Sequence, residues 1–183
     1  MLEELWSPVA ALTAAHRGRA NGLITSTAVT ADLLPESPRI AVVLARASWT
    51  HELALASGAF AVHLLAADPV EVSLAIFRTL GFRSGRTEEK LAEIAWHPGV
   101  TGAPLLDDAL GYVEARIAGT LEGDGVTVLI GDVAAGARLR EGRHFTIEDV
   151  RAHLTREDWA TWEARRAEEL EQARRARAVR IAE

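Results

Sequence analysis

Asn21-Gly22-Leu23-Ile24-Thr25-Ser26-Thr27-Ala28-Val29-Thr30 and, beyond an apolar run, Arg46-Ala47-Ser48-Trp49-Thr50 are the two stretches on which the reading of this chain turns. The first is suited to a strand edge, with hydroxyls at Thr25, Ser26, Thr27 and Thr30 beside apolar neighbours. The second joins a guanidinium, two hydroxyls and the unpaired amides of a helix start, a competent site for a phosphate that needs no lysine or metal. Two hydroxyl-rich turns of this kind suit a flat heteroaromatic ring at one and its phosphate at the other. Taken singly, each also fits a plainer reading: a Thr-rich strand, and a helix merely capped by Ser48 and Thr50.

Working outward, residues 9–15, 21–30 and Arg39–Ala45 read as strands, punctuated by Gly18 and by the Pro35/Pro38 pair. Thr50 is expected to cap a helix of about two turns that Gly58 stops. Residues 60–66 return to strand, and Asp68-Pro69-Val70-Glu71 predicts a helix with Asp68 as its cap and an end at Leu80-Gly81. Residues 82–106 read as loop apart from a helical turn over 87–94. Residues 112–121 and 126–134 form a hairpin about Glu122-Gly123-Asp124-Gly125. From Thr146 the pattern turns helical: Thr146/Asp149 and Thr155/Asp158 have capping-box spacing. The last helix carries one apolar stripe through Trp159, Trp162, Leu170 and Ala173, suited to docking on a barrel or a second subunit, or else fraying beyond Leu170. About six β-runs with short helices between them predict a mainly β, α+β barrel, and neither a Gly-x-Gly-x-x-Gly nor a Walker-type loop is present.

Composition sets outer bounds. At 183 residues, 49% hydrophobic, the chain has enough material for one core plus an appendage. Without cysteine there is no disulfide, thiolate catalyst or thiolate metal site, and a cytoplasmic setting is expected. A net charge of -6 argues against nucleic acid as a partner. Acidic Glu3 and Glu4 argue against a secretory signal, and no apolar run approaches the roughly twenty residues of a membrane span. His16, His51, His63, His97, His144 and His153 are scattered without metal-ligand spacing, so no metal is expected. His63 reads as a core histidine, and His144, near the barrel's end, could approach a pocket, the less favoured of its two readings.

In collinear order, Asn21-Gly22-Leu23, Ser26, Pro35-Glu36-Ser37-Pro38, Arg46-Ala47-Ser48, Thr50-His51, residues 57–65, Phe77, Glu89-Lys90-Leu91, Thr101-Gly102-Ala103-Pro104-Leu105-Leu106 and Ile130-Gly131-Asp132-Val133 resemble the flavin reductase-like family of FMN-binding split β-barrels. The resemblance runs from about Trp6 to Phe145. It implies a split-barrel domain over 1–145 with short peripheral helices and a C-terminal helical extension over 146–183, dimerising with a flavin at the subunit boundary. It implies FMN, with FAD possible, as cofactor and NADH or NADPH as hydride donor, and it is compatible with a partner monooxygenase that consumes reduced flavin. By position, Thr25, Ser26, Thr27 and Ala28 would border the ring. Ser48 and Thr50, with Ala47 just before Ser48 and Arg46 nearby, would hold the phosphate. Phe77 would stand at the ring or phosphate side, with Arg83 or Arg86 adding charge from the next loop.

Two departures stand out. The hairpin often reads Gly-Asp-His in this family, whereas Gly123-Asp124-Gly125 lacks the nicotinamide-side histidine, and Glu36-Ser37 separates the prolines of the second loop. No catalytic side chain is assigned, because hydride transfer between stacked rings does not require an acid–base pair. The alternatives are a flavin-binding protein without reductase turnover, acting as carrier, sensor or electron-transfer partner, and a docking module built on the Trp159/Trp162 helix.

Overall fold

The computed structural model describes residues 8–182; Glu3, Glu4 and Trp6 lie outside them, and of residues 176 and 179–182 only the backbone is described. In chain order the elements are β1 (Ala10–His16), β2 (Arg19–Thr25), β3 (Val29–Thr30), β4 (Arg39–Ala45), α1 (Trp49–Ser57), β5 (Ala59–Leu64) and α2 (Val70–Phe82). A 3-10 turn (Lys90–Glu93) follows, then β6 (Trp96–Pro98), β7 (Pro104–Leu106), β8 (Gly111–Glu122), β9 (Val126–Arg138), α3 (Ile147–His153) and α4 (Arg156–Ala182). Seven strands pair antiparallel in the order β2-β1-β5-β8-β9-β4-β3, giving a curled, open sheet: a mainly β, α+β split barrel.

The two edges of that sheet meet through one side chain. Thr27, just beyond β2, donates its hydroxyl to Val43 O (3.1 Å) and accepts from Val43 N (3.0 Å) on β4. It thereby supplies the hydrogen bonds that β4 lacks once the two-residue β3 has ended. With the Thr27 proton given to Val43, Thr25 donates to Thr27 Oγ1 at 2.7 Å, which locks the corner.

Two cores flank β1. Alternate residues Ala10, Leu12 and Ala14 enter the barrel lumen with Val42, Leu44, Phe60 and Leu129. On the other face, Ala11 meets Leu65, Phe77, Leu80, Phe145 and Val150 beneath α2 and α3, with Trp159 and Trp162 of α4 packed against them. Burial on both faces explains why β1 is a near-continuous run of small apolar residues rather than an alternating one.

Several local expectations are corrected. Ser48, not Thr50, caps α1: its Oγ accepts from His51 N at 3.1 Å, and Thr50 already lies inside the first turn. Gly58 does end the helix, in the left-handed conformation at φ 69°. Pro69 rather than Asp68 occupies the cap position of α2, with no side-chain cap bond. The helix runs past Gly81 to Phe82, because Trp162 packs against Gly81 and Lys90 Nζ reaches Leu80 O at 2.8 Å to satisfy a terminal carbonyl. The stretch read as loop contains the β6–β7 ribbon, where Pro98 and Pro104 face each other beside the connecting turn, at the end of the ladder, and need no ladder donor. Both capping boxes form, Asp149 closing on Thr146 and Asp158 on Thr155.

Candidate flavin site

A groove of about 1070 Å³ opens where the barrel seam meets the start of α1. This is at the upper end of what houses a small organic ligand, roughly 300–1,000 Å³. Its walls are the end of β2 through Thr27, residues 43–45 of β4, Ala47 to Thr50, the loop after α2, and the inner side of α3 and α4. A shallower depression of about 540 Å³ between that loop and α4 contains neither hydroxyl corner.

At the α1 end, the first-turn amides have no intrahelical carbonyl to reach, and Ser48 Oγ takes only that of His51. The positive end of the helix therefore faces the groove with amides and the Ser48 hydroxyl proton on offer. Thr50 is 1% exposed and accepts from Asn21 Nδ2 at 3.1 Å, tying α1 to β2. Asn21 Oδ1 is buried without a partner on the same wall, an acceptor awaiting a donor. Gly85 lies flush on the Asn21 amide, where a Cβ would overlap it.

The cation at this corner is Arg86. Its guanidinium pairs with Glu52, donates to Ala47 O (3.3 Å) and sits 5.6 Å from the centre of the Trp49 ring, whose other cationic neighbour is Arg19 at 4.8 Å. Arg46, the residue expected here, instead turns to the β8–β9 hairpin, bonding Glu122 (3.1 Å) and Gly123 O (3.4 Å) outside the groove walls. Arg83 lines the groove, but its head is divided between Glu88 (2.5 Å) and Glu93 (2.7 Å), so it braces its own loop.

At the seam end, Thr25, Ser26 and Thr27 all line the groove, yet the Thr25 and Thr27 hydroxyls are consumed by the barrel closure. Ser26 is exposed and its hydroxyl keeps no protein partner among the described residues. Ala28 packs on the lumen core and is not part of the wall. Phe77 borders the groove as a core residue, 2% exposed and stacked on Trp162 at 5.3 Å. His144 takes part in a backbone bridge to Ala66, away from these walls.

Sequence reasoning missed Trp162 and Lys90 as wall residues. Lys90, the only lysine of the chain, is 4% exposed, and burial pulls its ammonium down to about 8. Its place is set by the α2 carbonyl 10 residues earlier, a contact with no local signature. The donor set fits a flavin nucleotide. There is an anion seat at α1 with Arg86 beside it, apolar Leu23, Val43 and Leu44 for a ring, and unpaired Ser26 and Asn21 groups for polar edges.

The family model for the flavin reductase like domain matches residues 2–154. The chain belongs to this family. The flavin reductase-like chain is 32% identical over 136 residues to the high molecular weight rubredoxin of Moorella thermoacetica, covering 74% of this chain and 57% of that protein, so it spans little more than half of that relative's length. It is 27% identical over 139 residues to the ferric-chelate reductase (NAD(P)H) of Archaeoglobus fulgidus, covering 75% and 79% of the two chains. Among solved structures, nitrilotriacetate monooxygenase component B from Mycobacterium thermoresistibile superposes with a TM-score of 0.67 at 22% identity, over 84% of this chain and 86% of that one, and so shares the fold.

Proposed function

We propose that this flavin reductase-like protein binds FMN or FAD in the seam groove and passes hydride to it from NADH or NADPH. One observation carries the reading: the free Ser26 hydroxyl and the Ser48 helix start, 22 residues apart in the sequence, border a single groove with apolar residues between them. A bound flavin supplies the acceptor for the hydride. The chain's own residues bind and orient. Ser48 and the α1 amides hold the phosphate, Arg86 balances its charge, and Ser26 meets a polar edge of the ring. The apolar β4 wall excludes water from one side. No side chain is assigned a proton-transfer role.

The chain acts as a homodimer in this proposal. Val29, Leu121, Val126 and Ile130 stand 53%, 69%, 40% and 38% exposed on β3, β8 and β9, and their registers through Ala41, Val43 and Ala45 of β4 place them on one outward sheet face. A second copy on that face would cover an apolar patch that monomers seldom leave open. The monooxygenase component of similar fold supports delivery of reduced flavin to a partner oxygenase. A chain without cysteine supports a cytoplasmic setting, and no described helix is long and apolar enough to cross a membrane.

The test is anaerobic oxidation of NADH and of NADPH by the purified protein with FMN or FAD added. Acceleration supports the proposal; saturating flavin with both donors and no acceleration refutes it. One observation favours the second reading, flavin binding without reductase turnover: Gly125 stands where the family often has histidine, and a Cβ there would overlap Ala173 of α4. That reading predicts quenched flavin fluorescence with negligible nicotinamide oxidation.

A further inference from the structure

Helix α4 crosses the groove and is seated at two points. At the first, Trp162 stacks on Phe77 and lies 3.3 Å from where a Cβ on Gly81 would stand, while Asp158 accepts two bonds from Arg78 at 3.0 and 2.8 Å. The second seat is about three helical turns further on, roughly 16 Å at 1.5 Å per residue. There Ala173 rests on Gly125 at the tip of the β8–β9 hairpin, its Cα 3.2 Å from the position of a Gly125 Cβ, and Arg177 Nε stands 3.8 Å from Asp124. Between the seats, Arg165, Glu169 and Gln172 face the groove, spaced by four and three along one side of the helix.

Gly125 shows that the second seat is specific. Its backbone is not in the left-handed region, and the atoms a Cβ would meet there within 4 Å belong to Ala173. The barrel itself would accept a side chain at 125; α4 excludes one. A helix that merely frayed beyond Leu170 would impose no such demand. Since the stripe between the seats is polar, the contact with the groove is not a hydrophobic seal, and the helix is held in place by its two ends.

We propose that α4 is a strap that roofs the groove in cis and retains the flavin as a resident group, with Arg165, Glu169 and Gln172 as its contact face. This rests on the flavin reading above and adds to it what governs release. Nicotinamide nucleotide then reaches the ring only from the side that α4 leaves open.

The test compares full-length wild type with Gly125→Leu, which drives a wedge under the second seat. A second wedge, Ala173→Trp, acts from the helix side and leaves the barrel sequence untouched. Two readouts are taken: FMN dissociation, followed as recovery of flavin fluorescence after dilution, and tryptic cleavage at Arg174 and Arg175. Thermal unfolding confirms that the barrel persists. The expected result is faster cleavage together with FMN dissociation raised about tenfold, the usual place for a lost contact to show. Faster cleavage with unchanged dissociation overturns retention by the strap, and unchanged cleavage in both variants overturns the seat. If wild type and variants alike bind no FMN or FAD, the flavin reading itself falls, an outcome distinct from equal dissociation rates.

Discussion

Ser48 joins two roles that can be separated experimentally. Its Oγ accepts from His51 N at 3.1 Å and so caps α1, while the residue lines the groove with its own proton left to donate. Replacing an N-cap serine with alanine costs about 1 kcal/mol of stability, but with glycine only a few tenths. A hydrogen bond to a charged phosphate contributes about 1.5–3 kcal/mol. At about 1.4 kcal/mol per decade, losing it weakens flavin binding by roughly ten- to a hundredfold. Ser48→Gly should therefore keep nearly wild-type stability and lose that affinity, whereas Ser48→Ala should lose both. The His51 amide, released in either variant, points in the same direction and pulls the effect toward the lower end. Urea titration measures the first quantity and quenching of FMN fluorescence the second. If Ser48→Gly binds FMN like wild type while Ser48→Ala does not, the hydroxyl acts only through the cap and the phosphate assignment is wrong.

Thr27→Val keeps the shape of the side chain but strands Val43 N–H, Val43 C=O and the Thr25 hydroxyl, so it should cost roughly 2–4 kcal/mol in urea unfolding, with Thr27→Ser much milder. Equal losses in the two variants would show that the seam is not held by that hydroxyl. Arg86→Met should weaken FMN binding about tenfold at low salt and flatten its salt dependence; an unchanged salt slope would remove Arg86 from the phosphate end. Burial holds the His63 imidazole down to about 4 from 6.5, so between those values the unfolded chain binds the proton and the folded chain does not. That contribution is complete above pH 6.5 and is lost as the pH falls toward 4, about 3 kcal/mol over the range at about 1.36 kcal/mol per pH unit. His63→Phe should flatten the fall of the urea midpoint across this window; an identical slope in both proteins would assign the acid sensitivity elsewhere.

Legibility in the sequence followed the range of the interactions. The β4 strand, the β8–β9 hairpin, the Gly58 stop and both capping boxes rest on contacts within a few residues, and each was readable from its own stretch. The β6–β7 ribbon was not, since two prolines in a short irregular segment signal a loop unless the pairing partner is already known. Thr27 shows a subtler limit. In sequence its hydroxyl reads as facing a ligand, and the residue does line the groove, but a partner on β4, brought near only by the curl of the sheet, takes its bonds.

The exchange of Arg46 for Arg86 shows why charge is the hardest part of such a site to read. Arg46 is two residues from Ser48 in sequence, yet Arg46 N bonds Gly125 O (3.0 Å) as the β4 pairing with β9 ends, and its guanidinium follows to the Glu122 carboxylate. A long side chain goes where a carboxylate and a carbonyl satisfy it, and the hairpin supplies both. Arg86 lies beyond two helices and a strand, but the turn after α2 returns it to Ala47 O, Glu52 and the Trp49 ring. Three contacts, two from α1 and one from Ala47 ahead of its cap, fix that guanidinium before any ligand arrives, so less side-chain entropy remains to be lost on binding an anion. Such preorganisation, more than nearness along the chain, makes Arg86 the best-placed cation at the α1 end of a groove whose other walls carry Arg83, Lys90, Arg151, Arg165 and Arg166, and it is why Arg86→Met should reduce affinity where Arg46→Met leaves it unchanged.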